Sequence, residues 1–264
     1  MLKIEMTPNL LGFKVTGDYG ELDELYDAVW SVTMTDDPGD SRFALGTPDE
    51  VSMSSRLLAL CYDLRHACQG HRNVELVDNG MCDEKASWHG IAAPEKNVCY
   101  SVEVLYPELM YEMMAINYLL KARKARILRE RKSASALDLG AQMDMDAVEG
   151  CLRRFQGKVL DALSAECTPG RFDKIATDIG RFYSLVPEMY TQWLDVLDAD
   201  YASMGKAKRA QSLATIVRDL AHFNHHEQYF EIKADIDAYM AKHPDVRGRS
   251  EVDVDVSWPK KLVW

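Results

Sequence analysis

Three of the seven histidines fall within five positions, in the segment AHFNHHEQYFE at residues 221–231. On a continuous helix, Asp219, His222 and His226 would follow one another at i, i+3 and i+7 down a single face. Two imidazoles and a carboxylate form a ligand set for Zn, Fe or Mn. Three ligands from one straight helix seldom close around one ion, so Glu188, Asp195 or Asp198 of the preceding helix would have to join. Lys233 on the same face and Arg218 at its border oppose a cation there. His226-Glu227 begins like the HExxH pair of zinc peptidases, but Phe230 stands where the second histidine belongs and cannot bind zinc. The apolar pattern supplies a competing reading. Leu213, Ile216, Val217, Leu220 and Phe223 form a stripe opposite His222. Tyr229, Ile232, Ile236 and Tyr239 then continue on the face that includes His225. The helix must change neighbours or bend at Asn224-His225-His226-Glu227, and histidines at such a transition serve as hydrogen-bonded packing residues. That reading outweighs the metal site.

A second group lies upstream, where four cysteines and three histidines occur between Cys61 and Cys99. Cys68 and His71 have ligand-like spacing, and Cys82 or His89 could complete a tetrahedral zinc site. Against this, Cys61 and Cys68 sit on a leucine stripe, where free cysteine behaves as a small buried hydrophobe. The third feature is KARKARILRERK at residues 121–132, a reversal of sign in a chain of net charge −11. Lys121, Arg123, Lys124, Arg126, Arg129, Arg131 and Lys132 could hold phosphate. They also suit a solvated helix C-terminus, where cations complement the helix dipole. The acidic balance and the lack of interleaved aromatics disfavour nucleic acid as a partner.

Other chemistry-bearing signatures are missing. No dinucleotide-binding glycine fingerprint, phosphate-cradling loop or GxSxG nucleophile elbow occurs. Six dispersed cysteines without a CxxC pair read as reduced thiols. The longest apolar runs are too short to cross a bilayer, and MLKIEM does not open like a secretory signal, so the expected address is the cytoplasm.

These residues need a scaffold. The alternation of residues 2–6 and 12–17 predicts two strands of a hairpin around Thr7, Pro8 and Asn9. Asp18 is a helix start for residues 21–32, and a second helix is expected near 53–67. Residues 33–50, rich in turn formers and acid, read as a loop or lid. Residues 74–77 and 98–106 are strand-like, and Pro107 fits the first turn of a long helix reaching about 132. On that helix Met110, Met113 and Met114 read as core. The expected class is α+β: a small N-terminal β-sheet with helices at 1–132, a linker at 133–143, an antiparallel helical bundle at 144–243, and a C-terminal strand and tail at 244–264. The bundle helices are expected near 144–165, 171–203 and 206–242, with Pro187 a point of interruption in the second. The tail alternates strictly over 251–258, a strand in need of a sheet on this chain or on a second copy.

The opening MLKIEMTPNLLGFKVTGDYGELDELYDAVWSVT, with its Thr7-Pro8-Asn9 turn and its Gly17-Asp18 step into LDELYDAV, resembles the start of an uncharacterised group of bacterial hypothetical proteins. The resemblance implies a bacterial origin and brings no functional residues with it. The reading favoured by the sequence is a non-enzymatic protein-interaction or assembly module without a cofactor, docking on a protein partner or on a second copy, with a homodimer through the C-terminal strand as the second form. The alternatives are a metal-dependent protein built on His222 and His226, and nucleic-acid binding through residues 121–132. No membrane contact is expected and no small-molecule substrate is identifiable.

Overall fold

The computed structural model describes residues 2–33, 48–130, 139–181, 188–246 and 248–264. Strands β1 (Lys3–Met6) and β2 (Gly12–Gly17) form the expected hairpin, with Ile4 opposite Val15 and Met6 opposite Phe13. The turn between them is held from within: Thr7 Oγ1 accepts from the Leu11 and Gly12 amides, both at 3.1 Å. Leu10 has a left-handed backbone, φ 54°, which costs a non-glycine residue energy. Outside partners hold it there, since Tyr201 Oη donates to Leu10 O at 2.6 Å and Arg209 donates to Asn9 O at 3.0 Å. Gly12 is required because a Cβ would meet Val104 O at 1.9 Å.

Helix α1 (Tyr19–Val32) starts at Asp18, as the sequence predicts, in a full capping box with Glu21. Helix α2 (Pro48–Cys68) begins five residues earlier than expected. Most of the predicted loop or lid at 33–50 lies outside the described residues. Strand β3 (Asn73–Asp78), a short helix α3 (Asp83–His89) inside the expected loop, and strand β4 (Lys96–Leu105) follow. The sheet is antiparallel throughout, in the order β1-β2-β4-β3.

Helix α4 (Tyr106–Glu130) leaves β4 directly and occupies the middle of the molecule. It packs against α1, α2 and strands β2 and β4, and against four later helices: α5 (Leu139–Glu166), α6 (Pro169–Arg181), α7 (Gln192–Ser203) and α8 (Lys206–Ala221). Neighbours on every side explain why Tyr106, Leu109, Met110, Tyr111, Met113, Met114, Ile116 and Leu119 are all buried. One apolar cluster runs from Leu2, just before β1, through α4 to Tyr229 in the last helix, α9 (Glu227–Lys242).

Three expectations change here. The linker expected at 133–143 is helical from Leu139, where α5 begins. The helix predicted over 206–242 is broken: α8 ends at Ala221, Phe223–His225 form a 3₁₀ turn, and α9 starts at Glu227. The break lets buried Phe223 meet buried Tyr229 edge-on at 4.8 Å between ring centroids. The tail joins no ladder, and the C-terminal strand is replaced by a 3₁₀ turn at Arg249–Glu251 and an irregular run. Its period of two survives as alternating burial, with Val252, Val254 and Val256 turned inward and the residues between them exposed. It is anchored to its own chain: Gln192 donates to Val252 O at 2.9 Å, Arg249 lies over the Tyr190 ring at 4.4 Å, and Asn9 donates to Trp264 O at 2.9 Å.

Candidate functional site

The histidine segment does not gather into one face. His222 caps the end of α8 with φ −126° and ψ 34°, and His226 precedes α9 with an extended backbone. His222 is exposed and stands beside His225, with ring centroids 6.4 Å apart. His226 instead tilts against buried Trp193 at 5.1 Å. Asp219 and His226 do share the wall of an open groove with Asp200, Glu227 and Glu231, while Asp219 pairs with Arg218 at 3.2 Å. Asp195 and Asp198 turn away to other partners. Among the described residues, no three His, Cys, Asp or Glu side chains are gathered as a metal would require.

Upstream, Cys68 packs half-buried against the core, whereas Cys82 and His89 sit at the two ends of α3. His71 pairs through Nδ1 with His66 Nδ1 at 3.0 Å. All six cysteines are free, and burial pushes the Cys61 thiol up to about 12. In the basic run, Lys121 and Lys124 are exposed, and Arg123 is half-buried with Nε donating to Ser31 O at 3.2 Å. Arg126 is half-buried; Arg129 is on α4, and Arg131 and Lys132 lie outside the described residues.

The sequence reading missed an interior ionic cluster joining α2, α4 and α7. Arg56 reaches Asp195 at 2.7 Å, Glu108 at 3.4 Å and Thr191 O at 2.6 Å. The Glu108 amide donates to Asp198 Oδ1 at 3.2 Å. Glu112, one turn along α4, is buried, and among the described residues neither its Oε2 nor the hydroxyl of Tyr111 next to it has a hydrogen-bond partner. Burial raises the Glu108, Glu112 and Asp198 carboxyls above the usual carboxylate range, and their mutual repulsion adds to the rise at Glu112 and Asp198. One guanidinium cannot neutralise four nearby carboxyls, so burial and mutual repulsion favour the protonated forms of Glu108, Glu112 and Asp198. The cluster ties three helices together. The visible signal was two glutamates, i and i+4, among the methionines and tyrosines of a core helix.

A second unanticipated feature is the arm formed by β3, α3 and the first half of β4. On the inner face of the sheet, Phe13, Val15, Val102 and Val104 are buried under helices. The same face continues outward through Val98, Leu76 and Val74, and there nothing among the described residues covers it. Leu76 is 66% exposed, Val74 50% and Val98 43%. Trp88 on α3 is 86% exposed, and α3 makes no substantial packing with any other described element. Strand β3 is also the sheet's edge, so its outer backbone groups have no neighbouring strand. Large apolar side chains on a projecting arm with an open edge are the marks of a docking surface.

These features define an α+β protein with a central buried helix, an interior ionic cluster and a bare β-arm. The chain belongs to the family described as domain of unknown function DUF6904, which matches residues 2–264. No curated protein and no solved structure matches it.

Proposed function

We propose that this protein is a cytoplasmic, non-enzymatic assembly module, and that two copies join through their β3–α3–β4 arms. The observation that carries the reading is the exposed apolar surface of the arm: Val74, Leu76 and Val98 on the bare inner face of the sheet, and Trp88 on α3. Val74, Leu76 and Val98 on that face, with Trp88 and Ile91 on and just after α3, expose on the order of 500 Å² of apolar surface, and the open β3 edge adds backbone toward the roughly 800 Å² per partner of a stable interface. The strand itself favours a second copy. Antiparallel β3 strands with Leu76 opposite Leu76 put Val74 across from Asp78 and Glu75 across from Val77, so no like charges face one another. Centring the pair one residue earlier would set Glu75 against Glu75. The other edge strand, β1, packs against α5, whereas β3 packs substantially only against β4 among the described elements. Six free cysteines suit a reducing compartment.

Sedimentation velocity across a wide concentration range tests the proposal. A concentration-dependent dimer is expected, and Leu76→Asp or Trp88→Ala should shift it to monomer while the thermal melt of the fold stays unchanged. A monomer at every concentration, or a dimer indifferent to Leu76→Asp, would overturn it.

A further inference from the structure

Helix α2 ends in a turn that fixes two histidines against each other. Gly70 takes a left-handed backbone, φ 75°, and its amide donates to Ala67 O at 2.8 Å, while the His71 amide donates to His66 O at 2.9 Å. This pair of bonds is the Schellman closure of a helix. It folds the side chain just past the glycine back onto one in the last turn, where an apolar contact is usual. Here both positions hold imidazoles. His66 Nδ1 and His71 Nδ1 lie 3.0 Å apart, and the ring centroids 5.3 Å apart. His66 is half-buried and tilted against Tyr62 at 4.1 Å, and His71 is exposed.

Two ring nitrogens at this spacing share one proton or hold one ion. With metal–nitrogen bonds of about 2.05 Å, the 3.0 Å separation subtends about 95° at the ion, the angle between neighbouring ligands of a tetragonal or octahedral sphere. A tetrahedral ion would set the nitrogens about 3.3 Å apart. Desolvation, then His71, Arg72 and Arg65, lower the His66 imidazole below its ordinary value, which favours the neutral form that ligates. The same guanidiniums weaken the hold on a cation, although Asp63 pairs with Arg72 at 2.6 Å and the helix C-terminus adds partial negative charge. Among the described residues no third His, Cys, Asp or Glu joins the pair, so water fills the other positions, unlike in a closed structural centre. We infer that His66 and His71 form an exchangeable binding site for a divalent transition metal that takes imidazoles at near right angles, Cu²⁺ or Ni²⁺. His71 lies two residues before β3, at the root of the arm, and the site does not depend on the assembly reading.

Isothermal titration of the chelator-treated protein with Ni²⁺, which does not oxidise the free thiols, tests the site. Mg²⁺, which takes oxygen ligands, is the control. Saturable binding of Ni²⁺ and none of Mg²⁺ is expected near neutral pH, and the affinity should fall as the pH drops toward about 5.5, because protons compete for the imidazoles. His66→Ala or His71→Ala turns a chelate into a single ligand and should weaken Ni²⁺ binding by about tenfold or more, with the metal-free melting temperature unchanged. His222→Ala, at an exposed histidine elsewhere, should leave the affinity as it was. No saturable Ni²⁺ binding, equal binding of Mg²⁺, an affinity that His66→Ala and His71→Ala leave intact, or an equal loss with His222→Ala would overturn the inference.

Discussion

Glu112 is the residue at which burial and charge conflict most directly. An unfolded chain ionises it near the ordinary glutamate value of about 4.3, whereas in the fold burial and the adjacent Glu108 keep it protonated well above that. Between those two values the unfolded chain binds fewer protons than the folded one, so stability falls as pH rises and levels off above the folded value. Glu108 and Asp198, raised for the same reason, act in the same direction. Glu112→Met keeps the volume and removes the carboxyl. It should stabilise the protein by about 1–3 kcal/mol at neutral pH and by less near pH 5, which urea unfolding at the two pH values would measure. A variant less stable than the parent at neutral pH would mean that Oε2 has a stabilising partner. Tyr201→Phe is the opposite case: it strips the hydroxyl that holds the left-handed Leu10 carbonyl and should lose about 1–2 kcal/mol in the same assay.

Elements were legible where a single local rule governs them. Asp18 and Glu21 announce the start of α1 because the capping box is contained in four residues. Asp18→Ala should therefore destabilise the fold by about 1 kcal/mol, with thermal unfolding as the readout. The β1–β2 hairpin and α4 were legible for the same reason, through alternation and through Pro107 in the first helical turn. The break at His222 was half visible. The apolar stripe changes face there, but whether the chain bends or uncoils depends on Phe223 meeting Tyr229, a contact that periodicity does not encode. The tail shows the reverse. Its strict alternation is real, yet alternation specifies only which side is buried, and the inward side meets helices instead of a neighbouring strand. The ionic cluster was hidden because Arg56 finds Glu108 and Asp195 at separations of 52 and 139 residues. The arm was hidden too. Val74 and Leu76 have the pattern of a half-buried strand, and only the fold reveals that no helix reaches over them.

At the scale of the molecule, charge and apolar surface act against each other in assembly. Every copy carries a net charge of −11, so two copies repel when they meet. The arm offers apolar side chains and an open strand edge as the attraction, and neither weakens as salt is added. Screening shortens the reach of the repulsion from about 30 Å at 0.01 M salt to about 8 Å at physiological strength. Dimerisation through the arm should therefore tighten several-fold between those conditions, as sedimentation equilibrium would register. An interface held by ionic pairs, such as the basic end of α4 against an acidic surface of a second copy, would loosen over the same range. Salt-induced loosening would thus reject the arm even if the protein dimerised. Tightening that disappears with Leu76→Asp would assign the attraction to the bare face of β3.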